Sequence, residues 1–585
     1  MCNERTSAHR ADPAGQSFSP SGKACAFLVL GLCAVFFIPP FFTRGLWSPD
    51  EPRYAACAWE MRATGSYLLP RINGELYPEK PPLFFYMAAL FDVIAAPNGG
   101  RIAEALAMAG LGLLLLAFLK GERWEVRLSG SLVFLTFCLS QEIGKFGVID
   151  SVLVFFLVAA VLCSRRALTS ARPLGAYLGM YALLGLGALV KGPVIIPFAA
   201  LALLGLRLGL QPPAPRGKHI AGHAAGLALF ALIAAAWVVP ACMAGGEAYT
   251  KRLLGQIAGR VTGARKTHIQ PWYYYFIAVT FTALPWTLFL PGALWRGLKR
   301  KGPLVWLLLW MLPGFVLLSA FASKRERYLA LLFPAAAALL GWYLTGFRWS
   351  RPEKIAAALT AVLLIAAGVL LSAFGPAAEL LPDLARRLAP ARAERFLPAL
   401  RETLDRIGPF LRYVLLPLLG LGATWAGLRA LRARSGGVPF LTSVCAWVIC
   451  FSLAFDLVLC PALDPLKTGR DFTEAVKRFA QTGAPIALYA RHYDGRFNME
   501  TGRVHFPVLG RSDDPGENKA EVARFLDRTE PAAVIAGWRR VSPENPPPPF
   551  SDRPVLVTGV LGTRTMFLIG NKAAEKLWRK PEGKD

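Results

Sequence analysis

Four short stretches of this chain carry side chains of the kind that hold a phosphate or move a proton. The first reads Trp47-Ser48-Pro49-Asp50-Glu51-Pro52-Arg53-Tyr54 and resumes at Tyr77-Pro78-Glu79-Lys80-Pro81-Pro82. The second supplies Glu142, Lys145 and Asp150, and the third Arg260, Arg265, Lys266 and His268. The fourth is Lys324, Arg325, Glu326, Arg327 and Tyr328. A lysine meets a phosphate as a point charge and an arginine as a planar fork. Lys80, Arg53, Arg265, Lys324 and Arg327 are therefore candidate phosphate-binding residues, with Tyr54 and Tyr328 beside them. A carboxylate kept ionised by neighbouring cations can orient or deprotonate a hydroxyl, which makes Asp50, Asp150 and Glu51 the candidate catalytic acids. Asp50 and Asp150 could equally cap helices, since Asp50 follows Ser48-Pro49 and Asp150-Ser151 opens an apolar run. Glu79 and His268 could ligate a divalent metal, but two separated ligands are a weak metal signal.

The elements that position these residues are apolar. The chain is 54% hydrophobic with a mean hydropathy of +0.42, more than a soluble protein of 585 residues can cover with polar surface. Apolar blocks lie at about 24–43, 80–97, 101–119, 128–141, 148–163, 174–190, 193–208, 219–240, 271–293, 303–320, 327–346, 354–374, 409–431 and 438–460. Most are long enough to cross about 30 Å of hydrocarbon as helix. The net charge of +27 would suit a nucleic-acid binder. Its cations, however, sit in short clusters between the apolar blocks, where membrane topology wants them. A lipid bilayer is the expected partner, and no nucleic acid is.

Loop charge then assigns the sides. Clusters at Lys120/Arg123/Arg127, Arg165/Arg166/Arg172, Arg207/Arg216/Lys218, Arg296/Lys299/Arg300/Lys301, Arg348/Arg351/Lys354 and Arg429/Arg432/Arg434 are each separated by two blocks. All six therefore share a side, and by the positive-inside rule that side is the cytoplasm. Block 80–97 carries Pro81, Pro82, Asp92 and Pro97, which suits an interfacial helix better than a span. Thirteen spans follow, with the N-terminus inside and the C-terminus outside. The expected domains are a cytoplasmic tail (1–23), a membrane domain (24–460) whose first outer loop is 44–100, and an outer domain (461–585). That last domain reads as small and α/β, with a helix near 472–481 and β-rich runs at 486–490, 533–536, 555–560 and 565–569. Asp456, deep in the last block, reads as a buried structural polar group. The ten cysteines show no CxxC pair and no zinc-finger spacing. All four reactive stretches fall on the outer face, where lysine and arginine run against the topological trend and invite a functional explanation.

These residues form a familiar pattern. The string Ser48-Pro49-Asp50-Glu51-Pro52-Arg53-Tyr54, then Glu60-Met61, then Tyr77-Pro78-Glu79-Lys80-Pro81-Pro82, resembles the first periplasmic loop of bacterial GT-C glycosyltransferases. Within that superfamily it is most similar to the aminoarabinose transferases that modify lipid A; the wider group includes the protein O-mannosyltransferases. Val148-Ile149-Asp150, Leu189-Val190-Lys191-Gly192, His268 through Trp272-Tyr273-Tyr274, Leu284-Pro285-Trp286, Ser323-Lys324 and Arg327-Tyr328 follow in the same order. The resemblance covers most of 24–346.

What the resemblance implies is a polytopic α-helical GT-C membrane domain of about thirteen spans, with juxtamembrane helices in its first loop and a periplasmic C-terminal α/β domain. It implies an essential acid at Asp50, a second important acid at Asp150, and the lysine for the carrier phosphate at Lys80. It further implies a metal pair at Glu79 and His268, and a residue near the carrier head group at Tyr328. Two departures touch the sugar and the acceptor: Pro52 stands where a threonine is expected, and Lys324-Arg325-Glu326 where Lys-Leu-Pro is expected.

The expected enzyme is a multi-pass inner-membrane glycosyltransferase with a periplasmic active site. It would move a sugar from a polyprenyl-phosphate carrier to a lipid A-type glycolipid or another periplasmic acceptor such as a protein, inverting the anomeric carbon by one displacement. A protein O-mannosyltransferase-like enzyme is the alternative within the class. A lipid or sugar transporter is the alternative outside it, and would show inverted repeats with helices broken at mid-membrane. No GxxxxGK[ST] or GxGxxG is present, which argues against an ATP-driven pump.

Overall fold

The computed structural model describes residues 21–579 except 48, 120–121, 211, 263–267, 300–303, 347, 389–404, 434–435, 490–494 and 540, and side chains are also left undescribed at 256–262 and 375–388. Most of it is helix. Among the described residues, eight helices are long and apolar enough to cross a membrane: Gly22–Thr43, Gly99–Phe118, Asp150–Thr169, Leu174–Lys191, Arg216–Gly255, Arg351–Phe374, Leu411–Arg432 and Val438–Thr468. A ninth forms if Tyr274–Thr282 and Thr287–Lys299 are one span, bent by 119° where Pro285 interrupts the helix. This is a multi-pass membrane protein. The count is below the thirteen expected because several apolar blocks fold as shorter helices. Trp124–Thr136, Ile195–Gly209, Val305–Ala320 and Phe333–Thr345 have 13, 15, 16 and 13 residues, and at about 1.5 Å per residue they rise only about 20–24 Å.

Two of the short helices, Trp124–Thr136 and Phe333–Thr345, sit deep in the bundle. Every residue of Phe333–Thr345 is buried, and it crosses Trp124–Thr136 so closely that a Cβ on Gly341 would lie 2.5 Å from the Gly130 nitrogen. Small residues permit that approach, as they do wherever helices associate without a hydrophobic gain.

The loop after the first long helix is structured. It contains a loop helix, Asp50–Thr64, a two-stranded hairpin of β1 (Arg71–Ile72) and β2 (Glu75–Leu76), and an interfacial helix, Leu83–Ala95. The loop helix opens with two acids in its first turn, which the positive end of the helix dipole favours, and closes on Gly65 in the left-handed conformation. The interfacial helix follows Pro81-Pro82 and has 13 residues. It exposes Leu90, Val93 and Ile94 and is too short to span.

Beyond the last span the chain forms a five-stranded sheet of order β4-β3-β5-β7-β6. The strands are β3 (Ile486–Tyr489), β4 (Val508–Leu509), β5 (Ala533–Arg539), β6 (Val555–Leu561) and β7 (Arg564–Gly570). β3 pairs parallel with β4 and β5, and β7 antiparallel with β5 and β6. Alternation along β5 serves two cores: Ala533 and Ile535 join one apolar cluster, Val534 and Ala536 the other. The helix Arg470–Gln481 leads into this sheet. The last span itself continues without a break to Thr468.

Candidate active site

Asp50 is the first helical residue of the loop helix, and Asp150 the first of the helix Asp150–Thr169. The cap positions fall to Pro49 and Ile149, so both carboxylates are free to turn toward cations. Asp50 meets three arginines. Its Oδ2 lies 3.2 Å from Arg327 Nη1 and 3.3 Å from Arg325 Nη1, and its Oδ1 lies 3.7 Å from Arg53 Nη1. The Asp50 side chain stays 12% exposed, enough to reach a ligand. Arg327 also donates through Nε to Glu142 at 2.8 Å. Burial works against the Arg327 charge, but Glu142, Asp150 and Asp50 outweigh it and hold its pKa above the ordinary arginine value. That guanidinium is a permanent cation.

Asp150 is paired with Lys191, the last residue of the helix Leu174–Lys191. The Lys191 ammonium sits 5.0 Å from the centre of the Tyr328 ring, in cation–π range. Tyr54 packs between Phe84 and Phe85, each ring 5.8 Å away. Burial, then the charges of Asp50 and Asp150, push its phenol well above the usual tyrosine range, so it stays protonated and can donate. Asp50, Arg53, Tyr54, Asp150, Arg327 and Tyr328 thus gather from three distant parts of the sequence.

The other candidates lie as follows. Glu51 points away from this cluster into a buried network. Its Oε2 accepts from Arg44 at 2.7 Å and from the Trp47 amide at 2.6 Å, and its Oε1 from Arg101 at 2.7 Å. Burial opposes its charge, but Arg101 and Arg44 prevail and hold its carboxyl below the usual range. Lys324 donates to the carbonyls of Gln270 and Phe321 at 3.0 and 2.5 Å, and burial lowers its pKa. Its backbone joins His268, and Ser323 bridges Ile269, so Lys324 pins one loop to the other. Lys80 and Glu79 are half-buried ahead of the interfacial helix, with Tyr77 Oη donating to Glu79 at 3.5 Å. Arg265 lies outside the described residues.

The Glu79–His268 metal expectation finds no support in the donor set. His268 Nε2 lies 2.5 Å from the Arg325 guanidinium, a cation that would repel a metal ion. Among the described residues no three of His, Cys, Asp or Glu stand together as a ligand set.

Several participants were not singled out from the sequence. Lys191 stood only within the string Leu189-Val190-Lys191-Gly192, with no role attached to it. Arg101 and Glu104 were visible as charges at the start of an apolar block, a costly placement that marks function or structure. Glu104 accepts from the backbone amides of Gly147, at 2.7 Å, and of Val148, and so holds the loop that leads to Asp150. Asp456 pairs at 2.6 Å with Lys145 inside the bundle, in keeping with a structural role.

The fold and site define a multi-pass helical membrane protein with acids set among arginines at the ends of its helices. Comparison with known proteins adds what it is similar to. A sequence model of the family "Dolichyl-phosphate-mannose-protein mannosyltransferase" matches residues 25–254. An undecaprenyl phosphate-alpha-4-amino-4-deoxy-L-arabinose arabinosyl transferase of Pseudomonas aeruginosa (strain LESB58) is 28% identical over 332 residues, 54% of this chain and 59% of that protein. One from Proteus mirabilis (strain HI4320) is 26% identical, covering 53% and 58%. The chain thus spans under two thirds of the length of the curated relatives it matches. The crystal structure of ArnT from Cupriavidus metallidurans bound to undecaprenyl phosphate superposes with a TM-score of 0.71 at 18% identity, covering 96% of this chain and all of that one. The chain therefore shares the fold of that structure, and its sequence is similar to the aminoarabinose transferases and, over residues 25–254, to the protein mannosyltransferase family.

Proposed function

We propose that this protein transfers a sugar from a polyprenyl-phosphate carrier to a lipid A-type glycolipid or another extracytoplasmic acceptor, at the periplasmic face of the inner membrane. The observation that carries this reading is the Asp50 carboxylate held among Arg53, Arg325 and Arg327 at the ends of membrane helices. The relatives named above act on an undecaprenyl-phosphate sugar, and the ArnT structure holds undecaprenyl phosphate. A carrier of that chemistry would keep its tail in the bilayer and bring its phosphate to the edge, where these cations sit.

The reaction is a single displacement. The bond from the anomeric carbon to the carrier phosphate oxygen breaks as the acceptor oxygen bonds to the opposite face, so configuration inverts. The departing phosphate takes the electron pair, and Lys80, Arg53, Arg265 and Arg327 stabilise its charge as it develops. Tyr54 and Tyr328 line the head group. Asp50 receives the proton of an acceptor hydroxyl; where the acceptor is itself an anionic phosphate, Asp50 only positions it. Asp150 orders Lys191 and Tyr328 beside the reacting carbon. Glu51 and Lys324 are positioning residues in this scheme, because their polar atoms are already engaged by the protein. No step is routed through a metal. In this reading 24–460 is the catalytic unit and 461–585 lies outside, with the last membrane helix running on to Thr468.

The test is sugar transfer by membranes carrying Asp50→Asn or Lys80→Ala proteins that insert normally, read by mass spectrometry of the membrane lipids. Both should lose transfer. Unchanged transfer in both would overturn the site, and a protein rather than a lipid product would select the mannosyltransferase-like reading that the family match favours.

A further inference from the structure

The loop helix that begins with Asp50 is gripped by the C-terminal part of the chain along its whole length. At its start, Asp464 Oδ1 accepts from the Gly45 amide at 2.7 Å and from Trp47 Nε1 at 2.9 Å. The Trp47 amide in turn donates to Glu51, the neighbour of Asp50. Arg496, on the first helix after β3, donates to the carbonyls of Thr468 at 2.6 Å and Leu46 at 2.8 Å, tying last span, first loop and outer domain at one point. Midway, Gly495 faces Ala56 so closely that a Cβ there would lie 2.3 Å from the alanine methyl.

The far grip is the tip of the β1–β2 hairpin. The Asn73 side chain donates to the Phe506 carbonyl at 2.9 Å and accepts from the Phe506 amide at 2.7 Å. It thereby mimics a paired strand residue. Asn498 donates to the same Asn73 oxygen at 3.0 Å, and His505 Nδ1 lies 2.9 Å from the Asn73 carbonyl. Next to it, the Gly74 amide donates to Glu60 on the loop helix at 3.0 Å. Asn73 is 4% exposed and Asn498 1%; buried amides are tolerated only when so paired. A hairpin with two residues per strand does not stand alone, so its place is set by what it binds.

We infer that residues 464–468 and 495–506 are a positioning clamp that sets the loop helix, and hence Asp50, against the arginines of the 324–328 turn. The inference rests on the role proposed for Asp50, and Asp464 and Asn73 are its positioning residues. The experiment uses the full chain in detergent, with Asp464→Ala, Asp464→Asn and Asn73→Gly. Glycine is chosen because Asn73 has φ +60°, which glycine adopts without strain. Amide hydrogen exchange is read across 50–64, alongside steady-state transfer from undecaprenyl-phosphate-linked sugar. In Asp464→Ala and Asn73→Gly, exchange in the loop helix should quicken at least about tenfold while the spans keep their protection. kcat should fall about tenfold or more with a smaller change in donor KM, as misplacement of a reacting group predicts. Asp464→Asn should retain both properties, because one carbonyl oxygen can accept both bonds that Oδ1 accepts. Unchanged exchange in the loop helix, or Asp464→Asn as impaired as Asp464→Ala, overturns the clamp. If the unsubstituted chain transfers no sugar, the proposed function fails while the exchange data still judge the clamp.

Discussion

Arg327 is the residue on which the two halves of the site meet, since one guanidinium binds both Asp50 and Glu142. Arg327→Ala is expected to cut transfer by about a hundredfold, the usual cost of losing one preorganised charge at a developing anion. Arg327→Lys should recover little, because an ammonium cannot span both carboxylates as a fork does. Kinetics on both variants at matched expression check this. Glu51 shows the opposite use of a charge. Its removal would strand Arg44 and Arg101, both nearly inaccessible to solvent. Glu51→Gln should therefore destabilise the protein by about 3–5 kcal/mol. Because its folded pKa is depressed from 4.5, the stabilisation is present above pH about 4.5 and is lost as pH falls through the folded value. Melting curves of the two proteins should be well separated at neutral pH and converge in acid.

The elements matter through where they end. The interfacial helix turns into the next span at Gly99, where Asp92 Oδ1 accepts the Gly99 amide at 2.7 Å. A Cβ at Gly99 would lie 2.0 Å from the Ala88 carbonyl oxygen, so the two helices touch backbone to backbone. Gly99→Ala is expected to lower stability by about 1–3 kcal/mol, the range for forcing a methyl into a filled site, and thermal unfolding in detergent would show it. A melting temperature equal to that of the parent chain would mean the turn has room that its geometry denies. The bent pair around Pro285 makes the same point: hydropathy sees one apolar block at 271–293, and the backbone makes two helices of it.

For the whole molecule, the decisive quantity is sidedness. The proposed topology puts the six basic clusters on one face and Asp50, Lys80, Asp150 and Arg327 on the other, and so predicts opposite accessibility. Reporter fusions after Arg172, Lys218 and Arg434 are expected to read as cytoplasmic, and fusions within the first loop or after Thr468 as extracytoplasmic. A cytoplasmic signal from the first loop would break the proposed site apart.

Much of this was legible before any coordinates. Membrane class, a helix at 80–97 too short to span, the reactive stretches and most strands of the C-terminal domain follow from period and composition, because hydropathy and turn chemistry are local. The resemblance to the aminoarabinose transferases was legible too, since Pro-Asp-Glu and Glu-Lys-Pro-Pro are contiguous strings. What stayed hidden was pairing. Nothing near Asp150 names Lys191, nothing near Glu51 names Arg101, and nothing near Asn73 names Phe506. Span number was also out of reach, because helix length depends on where buried neighbours let a helix stop. Amino-acid order alone determined which groups could do chemistry and in what solvent; the tertiary structure alone decided which charges neutralise one another, since a carboxylate takes as partner whichever cation packing brings within about 4 Å.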